Sequence, residues 1–292
     1  MKLSILTDLC LPSRVNQCFY TTGLDDLKDC QDTDHFRAYP HSVEYRYNSR
    51  GFRDQEWPTD TGELQSAVWC IGDSFTVGIG APIQHTWPYM LQQRIGRRTI
   101  NIGMDGASNN WIARQLVLIM LQIKPAIAIV QWSYLERRED QPVNSQLNRY
   151  WQEFYLQVCT PDWPPVPDIE NFATLPISIQ IELLTFYDQS WRQNITDEQL
   201  RLGHIKSTDI EDIQNTRNLV RWVETMSQQH NVQLIHSFIP KFANHRAKSE
   251  FFSQINIKKC IGEIPQLDWA RDHHHYDCKT ALWVVDHIVD LL

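Results

Sequence analysis

Three short strand-type segments, at residues 67–71, 99–103 and 126–132, are the strongest constraint on how this chain folds. The first and third are continuous apolar runs too short for core helices and read as buried strands, and the second, Thr99-Ile100-Asn101-Ile102-Gly103, reads as a short strand ending in glycine. Between the first two lies a helical segment at 87–95, with Thr86 at the N-cap position and Pro88 in the first turn. Between the second and third, residues 110–122 are amphipathic to fully apolar, and Pro125 ends that helix. Strand, helix, strand, helix, strand at these spacings predicts a parallel sheet covered on both faces. The pattern resumes with a helix at 208–229, a strand at 232–238 closed by Pro240, and a last helix at 280–292. The predicted fold class is therefore α/β, a three-layer α/β/α sandwich with a central parallel sheet in the flavodoxin-like manner.

Residues 1–66 show little sustained periodicity and read as an N-terminal extension packed on the core, with 45–54 an ordered loop or short edge strand. Residues 67–292 form the α/β domain. Within it, 136–207 is interrupted by Pro142, Pro161, Pro164, Pro165, Pro167 and Pro176 and reads as a helical insertion over the sheet, with helices at 147–157 and 178–193.

Composition narrows the function. The net charge of −8, with no long block of one sign, argues against a nucleic-acid partner. No segment approaches the ~18 apolar residues of a membrane span, and Lys2 and Asp8 interrupt the first apolar stretch, unlike a secretory signal. The seven cysteines are odd in number and form no Cys-x-x-Cys, which fits a reducing, cytoplasmic compartment. No cofactor is implied.

The chemistry-bearing residues sit at the end of the first strand and far downstream. Gly72-Asp73-Ser74-Phe75 follows the run 67–71 directly, where ligands bind in an open parallel sheet. Alone, Gly-Asp-Ser is a turn whose serine caps a helix. Asp272-His273-His274-His275 changes that weighting: a carboxylate three residues before an imidazole shares its face and orients it, leaving the other nitrogen for Ser74. The triple histidine is otherwise a solvated loop or a metal site. Adjacent imidazoles diverge on a regular backbone, so no metal is assigned.

At this point the residues resemble a known family. Gly72-Asp73-Ser74-Phe75-Thr76 resembles the first block of the SGNH (GDSL-type) hydrolases, and Asn101-Ile102-Gly103-Met104-Asp105-Gly106-Ala107-Ser108 the second. Asp272-x-x-His275 resembles the last block, and Asn48-Ser49-x-Gly51-Phe52-Arg53 a segment found upstream of the serine in one branch. The resemblance covers roughly 45–135 and 265–292. It implies Ser74 as nucleophile, His275 as general base and Asp272 as its orienting acid, with the Gly106 amide as an oxyanion donor. The family's third block, Gly-x-Asn-Asp, is replaced by Val130-Gln131-Trp132-Ser133-Tyr134. Ser133, Asn109 or Asn110 is then the candidate for the missing donor, and Asp73 joins them as a candidate oxyanion or substrate contact.

The expected function is hydrolysis of an ester, a short acyl or O-acetyl group on a small molecule or glycan, by a Ser-His-Asp triad. An O-acyltransferase or a degenerate binding module on the same fold are the alternatives. Trp132, Tyr134, Trp163 and Trp269 are candidates for a sugar- or acyl-binding wall, Arg137, Arg138 and Glu139 read as a solvated turn, and His204, His236 and His245 as surface or packing residues. The α/β-hydrolase alternative is disfavoured, because Thr76 stands where its second glycine would be and the acid and base share one short segment.

Overall fold

The computed structural model describes residues 9–21, 23–137, 177, 180, 181 and 209–292. Most of the insertion expected at 136–207, including Arg138, Glu139, the helix at 147–157, Trp163 and His204, lies outside the described residues, and of the helix expected at 178–193 only residues 180 and 181 are described, both helical. Ahead of the first apolar run the chain makes short elements: β1 (Cys18–Phe19), α1 (Lys28–Gln31), α2 (Asp34–Ala38), β2 (Tyr45–Arg46) and α3 (Thr61–Ser66). β2 is the edge strand that the 45–54 segment suggests, but it pairs antiparallel with β1 and does not join the main sheet.

The main sheet contains β3 (Val68–Ile71), β4 (Thr99–Asn101), β5 (Ile127–Trp132), β6 (Gln233–Phe238) and β7 (Cys260–Glu263) in the order β4-β3-β5-β6-β7. Every pairing is parallel. The chain leaves β3 toward β4 on one side and returns past it to β5 on the other, a flavodoxin-like order whose switch point lies between β3 and β5. Right-handed crossovers in opposite directions from β3 place α5 (Trp87–Ile95) and α6 (Asn109–Gln122) on opposite faces. α5 packs along α9 (Cys278–Val289), and α6 along α7 (Asp209–His230), which completes the α/β/α sandwich. β3 and β4 are buried at every position because both faces are covered.

Local signals fix the helix ends. Ser108 caps α6 by accepting from the Trp111 amide, and Lys124, at φ 57°, turns the chain before Pro125. Thr86 occupies the N-cap position of α5 in extended backbone, yet its hydroxyl donates backward to Ile83 O and caps nothing. Gly96 ends that helix in the left-handed region. Beyond β6 the sequence reading also missed α8 (His245–Ser253) and the edge strand β7.

The Asn48–Arg53 segment is a fitted brace. Asn48 Oδ1 accepts from the amides of Arg50 and Phe52. Gly51 sits at φ 80°, and a Cβ there would lie 2.1 Å from Leu11 O. Arg53 is buried, its guanidinium donating to the carbonyls of Glu44, Val77, Gly78 and Ala81 and lying 4.3 Å from the Tyr45 ring centroid. Three of those carbonyls follow the turn that carries Ser74, so the arginine anchors the N-terminal segment to that turn through carbonyls and not through an ion pair. Hydrogen bonds to a charged group are worth about 1.5–3 kcal/mol each. Arg53→Met should therefore lower the unfolding free energy by about 3 kcal/mol or more, measured by urea denaturation against wild type.

Candidate active site

Ser74 opens a single helical turn, α4 (Ser74–Val77), immediately after β3. Asp73 caps that turn by accepting from the Phe75 amide, and Gly78 ends it at φ 77°. Gly72 is required by space: a Cβ would stand 2.1 Å from Thr76 Oγ1 and 3.0 Å from Gln131 O. The turn thus lies at the carboxyl end of β3, against β5, at the switch point of the sheet.

The downstream block meets it there. Ser74 Oγ is 2.7 Å from His275 Nε2, and His275 Nδ1 is 2.5 Å from Asp272 Oδ2. The other Asp272 oxygen accepts from the amides of His274 and His275, which locks the carboxylate beneath the ring. His273 takes φ 55° to allow this turn. The whole block docks through Arg271 N to Gly80 O, and the Phe75 ring packs 4.5 Å from the imidazole. Ser74, Asp272 and His275 are all buried.

Burial alone would lower the His275 pKa, but the Asp272 charge and hydrogen bond, with Asp105 and Asp73 nearby, outweigh it and hold the imidazole above its ordinary value. Burial likewise pushes Asp272 up, yet His275 and the two amide bonds win and keep it below the ordinary aspartate value. The two contributions have opposite pH dependence. The raised imidazole stabilises the fold below its ordinary pKa and loses this as pH rises through the raised one. The depressed carboxylate stabilises above its ordinary pKa and loses this as pH falls through the depressed one. Asp272→Asn should therefore cost more stability at pH 5 than at pH 9, as read from urea midpoints of both proteins at each pH.

The remaining candidates are drawn in, but not all as donors toward an oxyanion. The Ser133 hydroxyl donates to Asp73 Oδ2 at 2.6 Å. The Asn109 side chain donates to Tyr134 O and accepts from the Ser133 amide, so it braces the loop after β5. Neither has a donor left over for a ligand in this arrangement. Gly106 holds φ 73° in the loop after β4, which is tied to the serine turn by Met104 N donating to Gly72 O. The backbone amides of Ser74 and Gly106 donate to no other group among the described residues.

Three features escape the sequence reading. Arg137, expected in a solvated turn, reaches back to Asp73 Oδ2 at 3.1 Å and stacks over the Tyr134 ring. The only hint was its place just beyond the carboxyl end of a strand. Trp132, expected on a ligand-binding wall, is fully buried, donating to His236 Nδ1. Last, Thr76 Oγ1 donates to Gln131 Oε1 and Gln131 Nε2 donates to Tyr276 OH, both at about hydrogen-bond distance. His236 is a packing residue and His245 is exposed at the start of α8.

No family model and no curated protein sequence matches the chain. Among solved structures it is similar to a psychrotrophic esterase from Pseudoalteromonas sp., at 10% identity over 77% of this chain and 95% of the other, with a TM-score of 0.40. It is also similar to a family two carbohydrate esterase from Clostridium thermocellum, at 9% identity over 81% and 65% of the two chains and a TM-score of 0.42. An acetyl xylan esterase from Butyrivibrio proteoclasticus gives 11% identity, 82% and 65% coverage and 0.39. These likenesses are loose. The parallel sheet in the order β4-β3-β5-β6-β7, with Ser74, His275 and Asp272 meeting at its carboxyl edge, is a flavodoxin-like α/β/α architecture.

Proposed function

We propose that this protein is an SGNH-type serine esterase acting on a short-chain acyl or O-acetyl ester, with residues 67–292 as the hydrolase domain and Ser74, His275 and Asp272 as its triad. The observation that carries this reading is the continuous chain from Ser74 Oγ through both nitrogens of His275 to Asp272. Ser74 Oγ attacks the ester carbonyl while His275 Nε2 takes its proton, and Asp272 holds the imidazolium that forms. The carbonyl oxygen, now negative, accepts from the Ser74 and Gly106 amides. His275 then returns the proton to the leaving alcohol, and a water, activated by the same nitrogen, releases the acid and restores Ser74.

With Ser133 and Asn109 occupied, the donors this reading assigns to the oxyanion are the two backbone amides, and neither of those side chains. A missing donor typically costs about 10²–10³ in rate, so a slow esterase fits better than a fast one. Tyr134, whose hydroxyl is 3.4 Å from His274 and whose ring lies against Phe75, offers flat surface near the serine, which supports a sugar or other ring in the alcohol part.

Fluorophosphonate labelling followed by a short-chain ester panel tests the assignment. Ser74→Ala should abolish labelling and lower turnover by about 10⁴–10⁶-fold. A folded wild type that neither labels nor turns over esters would leave a binding module on this fold. Because the base must be neutral to accept a proton, the acid limb of kcat/KM should have its midpoint above the ordinary imidazole value of about 6.5. A limb at or below that value would contradict the raised His275.

A further inference from the structure

Beside the serine site, and outside it, lies a second group of metal-ligating side chains. His41, His85 and Asp277 each offer one ligand atom, and the three atoms lie within 4.8 Å of one another. They come from three separate segments: the stretch after α2, the short helical turn Ile83–His85, and the start of α9. None belongs to the His273–His275 run in which the sequence might have suggested a metal.

The way Asp277 is held sets this cluster apart from an ordinary polar contact. Asp277 occupies the N-cap position of α9 but makes no capping bond. Asp268 does that work instead, accepting from the amides of Asp277, Lys279 and Thr280 and from the Thr280 hydroxyl. The buried Asp277 carboxylate is thereby left to face away from the helix. One oxygen is 2.6 Å from His85 Nδ1, and the other accepts from Tyr39 OH at 2.5 Å. The His41 and His85 rings meet at 85° with centroids 4.8 Å apart, so a nitrogen of each can approach one centre without stacking.

We propose that His41, His85 and Asp277 bind a divalent transition-metal ion of the zinc class, with Tyr39 holding the outer carboxylate oxygen. Two imidazoles and one carboxylate suit zinc, which takes such ligands at about 2.0–2.2 Å in tetrahedral geometry and would keep a water in the fourth position. On binding, the ion takes the place of the hydrogen between His85 Nδ1 and Asp277, and the neutral imidazole carries its proton on Nε2 instead. A tyrosine hydroxyl on the second oxygen is the kind of outer partner that orients a ligating carboxylate. The ion would fasten the N-terminal segment to the block that carries His275, two residues from Asp277.

The test uses the full chain, stripped with a chelator and titrated with zinc against a chromophoric competitor, and with cobalt read by its visible absorption. Wild type should bind one equivalent at this site and gain thermal stability with zinc by mass action. His41→Ala, at an exposed position, and His85→Ala should each abolish that equivalent and its thermal shift. Tyr39→Phe should weaken binding by about 10–100-fold, while exposed His245→Ala leaves it unchanged. Equal binding by wild type and the His41→Ala/His85→Ala double variant would overturn the proposal. So would no binding by wild type, or a cobalt spectrum with thiolate bands that persist in the variants. Since none of these readouts involves ester turnover, the outcome is independent of the function proposed for Ser74.

Discussion

The buried chain from Thr76 through Gln131 to Tyr276 holds the rest of the site in place. Its three members stand in segments far apart in sequence, and one amide side chain serves the other two with both its oxygen and its nitrogen. An amide buried between two hydroxyls must keep both bonds or leave polar atoms unsatisfied, at about 1–3 kcal/mol each. The sheet register makes that arrangement possible. Ile71 lies opposite Val130, so the residues just past β3 and β5 emerge side by side. Ser133 can therefore bond to Asp73, and Tyr276, next to His275 in the chain, is tied to β5 by the Gln131 amide.

Around His275 the electrostatics have one direction. Asp272, Asp105 and Asp73 all favour a positive imidazole, against burial that disfavours it. Arg137, paired with Asp73, tempers the last of these. These carboxylates are already in place around the ring, so an imidazolium there needs little reorientation of its neighbours.

The sheet from β3 to β5 was legible because the buried β3 and β5 leave uninterrupted apolar runs, and because Pro125 marks the end of α6. The pairing of Ser74 with Asp272 and His275 was legible from residue types and order. What escaped did so for physical reasons. α4 is a single turn, too short for any periodicity. β7 is half-buried along its length and broken by a register shift, so no apolar run announces it. α8 has only Ala247 and Phe251 buried in a charged stretch. Ser133 and Asn109 have the right chemistry for donors, but a sequence does not reveal that Asp73 and the Tyr134 carbonyl claim those protons first. Arg137 looked solvated because its partner lies sixty-four residues upstream.

Arg53 gives the serine turn an unusual dependence on time. The carbonyls that follow Ser74 are gathered by an arginine made about two dozen residues earlier, so the turn can be shaped while synthesis continues. Its hydroxyl, however, has no imidazole to bond to until the ribosome has passed His275, 201 residues on. Between that turn and the imidazole it bonds to lie β4, β5, β6 and β7, so the two meet only in a chain whose whole main sheet has been made.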